Sequence, residues 1–541
     1  MNIQNNFIFF GLKFLIFFLF FFFLGRALLM LILKGKNPDN LTISGFNISL
    51  FYPLIGVIFY GNYLVIFNFF FPISSKFVYL CLFFLVPNLI LKPNIKFLKK
   101  AFKNLGFYPI LLITSYDLAY HYDSGLYHLN VQALLRESNI ILGISNIYGP
   151  YGVGSIYDYI SASLWFDSTM VLLQFVNLIF FILFYEFLLG MIFMKNNRFL
   201  NNAGLSVLIF SLLDNFGFNG GRNGFIYFQS LGKQDVQLAI VYFVTLVIIF
   251  LNLGIKKTDR LDIFLISLFS LFIVQLKISG VTIVLFYLLL LYHMFKNNNL
   301  NRKTFSEIKL IIFLGILWLF KSILQTGCVV YPLQASCMST LSWYSADYTK
   351  VTLESSKAFS IAYEFDSSLL LWFQEFLNYD INKVILVNYL FSFLIIFSIF
   401  YKKSAESRKI DLIPFLCTLL LTQLFYLYYG PHLRYLIAIQ IIIIFLLGYM
   451  RDFRINLPSK VIYLFVIFSL LALVRLNSYK TFDLYYHPRH DIPVPEVIHY
   501  DNRFLPKDGD QCWAVFECSP NLMLYEVKQQ KYFKVVLFKD G

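Results

Sequence analysis

The stretch FIFFGLKFLIFFLFFFFLGRALLMLIL, Phe7 to Leu33, holds only two charged residues, Lys13 and Arg26. As a helix it is long enough to cross a hydrocarbon layer about 30 Å thick. Within lipid every backbone N–H and C=O must be satisfied inside the chain, so only helices and closed barrels can span. A barrel would need short alternating strands, which these runs do not resemble. A signal peptide would be shorter and would end in a small-residue cleavage site, so the run reads as a retained helix.

Comparable runs recur near 46–70, 76–91, 104–116, 169–193, 203–214, 235–253, 261–275, 279–295, 308–324, 384–400, 411–429, 435–450 and 461–475. The expected fold is therefore an all-α polytopic membrane protein, a bundle of roughly 12–14 transmembrane helices. With 59% of its 541 residues hydrophobic and 14% charged, the chain has too little polar surface for a soluble domain. Few charges are expected inside the spans. The net charge of +14 does not indicate a nucleic-acid partner, because the cations sit in short clusters between apolar runs and form no basic stripe interleaved with aromatics.

Those clusters set an orientation. Lys34 and Lys36, the run from Lys92 to Lys103, Lys195 and Arg198, Lys256 to Arg260, Lys296 to Lys303, Lys402 to Lys409, and Arg451 to Lys460 belong on the cytoplasmic side by the positive-inside rule. Four segments are then outside: Asp117–Asp167, Asp214–Gln234, Gln325–Lys383 and the tail after Arg475. The organisation reads as N-terminal helices 1–115, a first outer loop 116–168 with an interfacial helix, central helices 169–324, an outer loop 325–383, C-terminal helices 384–475 and an outer tail 476–541. Cys328 and Cys337 share one outer segment, and Cys512 and Cys518 share another. Two close pairs on one side read as two disulfides in an oxidising compartment. Neither pair has the spacing or the His partners of a metal site.

Candidate chemistry concentrates outside. In SYDLAYHYDSGLYHLNV, Asp123 stands among His121, Tyr122, Tyr127 and His128. A carboxylate there is suited to act as general base toward a hydroxyl, with aromatic rings stacking on a sugar and imidazoles orienting the acid. The competing reading is an N-cap Asp that only satisfies helix N–H groups. Leu126, Leu129, Val131, Ala133 and Leu134 form the apolar face of a short helix after it. In FGFNGGRNGFIYFQSLGKQD, Arg222 and Lys233 precede Asp235 at a helix start, an arrangement suited to an anionic group. An ordinary capped loop would look the same. Lys277 in LKISG lies between two apolar runs and needs either a partner or a route to the surface. Arg434 in GPHLRY presents a planar donor fork suited to phosphate, or to a structural carboxylate.

Taken with SNIYGPYGVGS, QSLGKQD, TGCVVYPLQASC and GDQCWAVFECSP, these motifs resemble an uncharacterised bacterial branch of the GT-C glycosyltransferases, from about Tyr116 to the C-terminus. The resemblance implies a GT-C-like helical bundle in the bacterial inner (plasma) membrane. It implies transfer of a sugar from a polyprenyl-phosphate donor to a lipid-linked or surface glycan acceptor at the outer face. Asp123 would be the catalytic base, with Asp117 the second candidate, and Arg434 or Lys277 would bind phosphate. Some members use a divalent cation, and no cofactor is assigned here. Unlike most of that family, this chain places about three spans before the acidic loop. The alternatives are an O-antigen polymerase or ligase type of protein, and a lipid-linked oligosaccharide flippase or transporter.

Overall fold

The computed structural model describes residues 6–166, 170–216, 230–255, 258–300, 302–358, 369–403, 412–429, 433–450, 457–488, 490–500, 503–515, 518–520, 525–530 and 532–538. The chain is mostly helical. Helix α1 (Phe7–Ile32) is unbroken, and its first turn is capped by the Asn6 side chain, which accepts from Phe9 N at 2.7 Å. It packs along α2 (Tyr52–Asn68), which follows a single 3-10 turn at Ile48–Phe51. The two backbones nearly touch. A Cβ on Gly25 would lie 1.9 Å from the Tyr52 carbonyl oxygen, and one on Gly56 would lie 2.2 Å from that of Phe21. Small residues are what permit this approach where apolar burial alone drives no helix pairing.

Two expected spans are not continuous helices. Over 76–91 the chain forms Lys76–Cys81, a 3-10 turn at Leu82–Leu85 and a single turn at Pro87–Ile90. Over 104–116 it forms three separate turns, Leu105–Phe107, Pro109–Leu112 and Ile113–Asp117. Pro87 and Pro109 each remove a backbone donor and clash with the preceding turn, so apolar composition there does not translate into helix length.

Residues 116–168 contribute α3 (Leu129–Glu137) and α4 (Ile156–Ser163). The body continues as α5 (Val171–Ile192), α6 (Arg198–Asn215), α7 (Asp235–Asn252), α8 (Arg260–Leu276), α9 (Ile283–Lys296), α10 (Arg302–Thr326), α11 (Asp380–Lys403), α12 (Leu412–Tyr429), α13 (Leu433–Leu446) and α14 (Ser459–Leu473). Among the described residues, six helices are long and apolar enough to cross a membrane: Phe7–Ile32, Ile48–Asn68, Val171–Ile192, Asp235–Asn252, Ile278–Lys296 and Asn382–Tyr401. α7 is apolar on all sides because it is enclosed on all sides by other helices.

Charges inside the predicted spans are more numerous than the sequence reading expects. Arg26 and Lys321 are 0% and 2% exposed, and Asp262 is also buried. Arg26 is compensated by a bidentate pair with Asp39, Nε to Oδ1 and Nη2 to Oδ2 both at 2.8 Å. Its Nη1 donates to Asn88 Oδ1 and to the Leu91 carbonyl. The short turns of 87–91 thus close around a charge carried by α1.

The four segments that the charge pattern assigns to one side pack together. Strand β1 (Ala119–Tyr120) pairs in parallel with β2 (Ser230–Leu231). Gly143 N donates to Leu324 O at 3.1 Å, and Asn146 Nδ2 donates to Trp343 O at 2.9 Å. Tyr151 donates its hydroxyl to Cys518 O at 2.9 Å, and Leu142 N donates to Lys534 O at 2.9 Å. The tail is built from two antiparallel hairpins, β3 (Val497–Tyr500) with β4 (Arg503–Pro506) and β5 (Tyr525–Gln530) with β6 (Phe533–Phe538), so the all-α expectation applies to the helical body alone. Cys328 is bonded to Cys337 and Cys512 to Cys518.

At the far end of α7, Asn252 Nδ2 donates to Ser44 Oγ at 2.9 Å, and Ser44 Oγ donates to Asp262 at 3.2 Å. The turn between α1 and α2 is thereby tied to the α7–α8 connection. The 18 residues of α7 separate this end from Asp235 by about 27 Å.

Candidate functional site

Tyr122-Asp-Ser-Gly-Leu-Tyr-His-Leu129 does not enter α3 as a regular helix. Ser124–His128 is a π-helical turn, and such insertions rotate side chains out of the regular helical register. Asp123 leads this turn, but its carboxylate does not cap it. The capping reading of Asp123 is therefore not the role it plays here. His121 Nδ1 accepts from Asp123 N at 3.1 Å and stands 3.4 Å from Asp123 Oδ2. A neutral imidazole cannot use one nitrogen as acceptor for the amide and donor to the carboxylate, so the amide bond fixes the Nε2–H tautomer and the carboxylate contact is proximity.

Four chain segments close a cleft of about 40 Å³ around this turn. Asp123, Tyr127 and His128 come from the turn before α3, Asp158 from α4, Lys233 and Asp235 from the start of α7, and Lys277 from the end of α8. Gly232 brings the second segment in. Its φ is +80°, and a Cβ on it would strike the Ser124 hydroxyl, which itself donates to Leu231 O. Ser155 ties α4 to α8, because its hydroxyl caps Tyr157 N at 3.1 Å and donates to Leu276 O at 2.6 Å, one residue before Lys277.

His128 is held from behind. Its Nδ1 is 3.1 Å from Asp158 Oδ1, which also accepts from Gln132 Nε2 at 3.2 Å and Gln234 Nε2 at 3.4 Å. Gln132 is in turn fixed by Trp165, whose Nε1 donates to Gln132 Oε1 at 3.0 Å. A carboxylate on Nδ1 selects the Nδ1–H tautomer and leaves Nε2 as the basic nitrogen. Lys277 breaks out of α8 with extended backbone, pairs with Asp235 at 2.7 Å and lies 4.9 Å over the Tyr435 ring. Lys233 is 6% exposed, so a cation is buried at the cleft wall.

Tyr122 points away toward the tail, donating its hydroxyl to Asp510; that hydrogen bond, reinforced by burial, pushes the phenol up to about 12. Asp117 is not part of the cleft lining and acts instead on His490 of the tail. Arg222 lies outside the described residues, as does the side chain of Arg434. The backbone of Arg434 opens α13 next to Tyr435. The tail covers the loop: Trp513 N donates to Gly125 O at 2.8 Å, and Asn130 Nδ2 donates to Val515 O at 3.1 Å.

Sequence reasoning missed Asp158, Gln132 and Gln234. The local signal at Asp158 is Ser-Ile-Tyr-Asp, which announces a helix N-terminus, not a partner for an imidazole 30 residues earlier. It also read Asp235 as a helix start without seeing that it answers the need of Lys277 for a counter-ion. The assembled cleft sets one half-buried acid, Asp123, and one carboxylate-backed imidazole against two ammonium groups. Such a set can accept a proton and stabilise a developing anion. Among the described residues no three His, Cys, Asp or Glu side chains are grouped closely enough to hold a metal ion.

No curated protein and no solved structure matches the chain. Residues 7–441 match the family described as domain of unknown function DUF8201. That match includes every cleft residue and most of the helical body, and the protein therefore belongs to the DUF8201 family.

Proposed function

We propose that this protein is a multi-pass membrane glycosyltransferase of GT-C type, seated in a bacterial inner (plasma) membrane. It moves a sugar from a polyprenyl-phosphate donor to a lipid-linked or surface glycan acceptor at the outer face. The observation that carries the reading is that Asp123, His128, Lys233 and Lys277, drawn from three distant parts of the chain, line one cleft. In the reaction the acceptor hydroxyl oxygen bonds to the anomeric carbon while Asp123 takes its proton. The bond from that carbon to the phosphate oxygen breaks, and the phosphate leaves on the polyprenyl chain with its charge met by Lys233 and Lys277. His128, aligned by Asp158, hydrogen-bonds the acceptor through Nε2.

The cleft has room for about three water molecules. The tail around Gln511–Val515 packs on the turn that carries Asp123. The positive-inside pattern supports the outer placement of the cleft.

The test uses a strain lacking the gene, complemented with wild type or with Asp123→Asn. The expected result is that the variant inserts at the wild-type level but leaves surface or lipid-linked glycan one sugar short by mass spectrometry. Restoration of wild-type glycan by Asp123→Asn would remove the proposal. Glycans cut to a single repeat unit would identify a polymerase in its place.

A further inference from the structure

A second cavity, larger than the cleft, lies at the opposite end of the helical body. It measures about 320 Å³ and opens between α1, α5, the turn before α2 and the basic segment at 100–105. Gly45 and Phe46 line it, and the neighbouring Ser44 is bonded to the C-terminal end of α7, which fixes the cavity near that end. One wall is apolar, with Phe18, Phe22, Ile179, Ile182 and Leu183. The mouth carries Lys100 and Lys103, both exposed. Inside is Glu186, whose Oε1 accepts from the Tyr108 hydroxyl at 2.5 Å and whose Oε2 accepts from Asn104 Nδ2 at 3.0 Å. Each oxygen uses one of its lone-pair sites in these bonds, and a carboxylate offers about four.

A carboxylate held in place by two donors at an apolar wall, already drawn on by Lys103 and set beside a second ammonium group at the same mouth, suits a ligand that carries both signs. A phosphate alone would meet the lysines but leave Glu186 facing another anion. An amine alone would satisfy Glu186 and meet two like charges at the rim. We propose that this cavity binds a phospholipid with a primary-amine headgroup: its phosphate at Lys100 and Lys103, its ammonium on Glu186, and its first methylenes along Phe18, Phe22 and Ile182. The site is separate from the outer cleft and does not depend on what the cleft catalyses. Its position among the Lys-rich connections places it at the cytoplasmic leaflet by the charge rule, where lysines and acyl chains meet.

The test is native mass spectrometry of the purified full-length protein, equilibrated with equimolar mixtures of phosphatidylethanolamine, phosphatidylcholine and phosphatidylglycerol. Wild type is expected to retain the ethanolamine lipid at least fivefold over the choline lipid, which has the same phosphate but no N–H donor. Glu186→Gln is expected to level ethanolamine and choline lipids. Lys100→Ala/Lys103→Ala changes only exposed side chains and should lower retention of all three. Equal retention of the three lipids by wild type overturns the proposal, and so does an ethanolamine preference that survives Glu186→Gln. Soluble glycerophosphoethanolamine should fail to displace the bound lipid at a tenfold excess. Displacement at that ratio would show that the apolar wall contributes nothing and would overturn the assignment of a lipid.

Discussion

The imidazole of His128 and the carboxylate of Asp158 meet at 3.1 Å, 30 residues apart in the chain, between the π-helical turn and α4. Both residues line the cleft, and Asp158 commits its Oδ1 to the imidazole it aligns. Asp158→Asn should leave the fold in place, since an amide oxygen can still accept from Gln132 or Gln234. The imidazole loses its carboxylate and can rotate to the wrong tautomer. Transfer should fall by at least about 10-fold, since even the carboxylate behind a metal-bound histidine is worth about 10- to 100-fold. Rates measured in isolated membranes for Asp158→Asn, His128→Gln and the double variant check this. A double variant no worse than His128→Gln alone places the two residues on one path, whereas additive losses separate them.

The crossing of α1 and α2 rests on two glycines that face carbonyl oxygens. A side chain at Gly56 must push the Phe21 backbone away by more than an ångström. Gly56→Leu should therefore disrupt the α1–α2 pair and lower the yield of folded protein several-fold. Gly106→Ala is the matched control, since a Cβ there meets nothing within 4 Å and should be silent. Fluorescence-detected size exclusion in detergent reads both outcomes.

Much of this architecture is legible in the residues, and the failures share one cause. Runs such as Phe7–Leu33 and 235–253 announce their helices because period and composition act locally. At Pro87 and Pro109 the same composition misleads, because hydropathy counts apolar residues and does not register a missing N–H. Asp123, Lys233 and Lys277 are recognisable as residues that do not belong in an apolar chain. Their gathering on one side follows from the charge pattern, and Asp123, Lys233 and Lys277 do line one cleft, whereas the partners they meet there depend on how α4, α7 and α8 pack. Asp158 shows the limit most clearly: its neighbours Ser155 and Tyr157 fully account for an acid in a first helical turn, so nothing local marks its bond to His128.

Arg26 is enclosed by α1, Asp39, Asn88 and the Leu91 carbonyl, with Tyr52 donating its hydroxyl to Asp39 at 3.1 Å. Arg26→Met leaves a buried carboxylate without its guanidinium and should cost about 3–5 kcal/mol. Asp39→Leu alone leaves the guanidinium stranded and should cost a similar amount. The double variant removes both charges together and should recover most of the loss, because the pair's own net contribution is small once desolvation is counted. Thermal unfolding in a single detergent compares the three, and a double variant as unstable as the sum of the singles would rule out this account.

The tail is anchored to the body by a neutral histidine. His487 Nε2 is 2.6 Å from Ser115 Oγ, and its ring stacks on Phe10 with centroids 3.9 Å apart. Burial lowers its pKa from an ordinary 6.5 to about 4, assisted by the neighbouring charges of His490 and Lys13 and opposed by a backbone hydrogen bond at Pro488. Burial lowers His490 as well, against the pull of Asp117 and Asp491. A released tail binds a proton on His487 below pH 6.5, whereas the docked tail resists it until about pH 4. Docking is therefore fully supported above pH 6.5 and loses stability as the pH falls from there toward 4, by an amount on the order of 3 kcal/mol. Hydrogen exchange of 476–488 in lipid nanodiscs, corrected for intrinsic rates, should be slow at pH 7.5 and markedly faster at pH 4.5. His487→Gln cannot take up the proton and should flatten most of that difference, leaving the smaller share that belongs to His490. An exchange profile that is the same in wild type at both pH values would show that the tail is held by other contacts and that the buried imidazole does not govern its release.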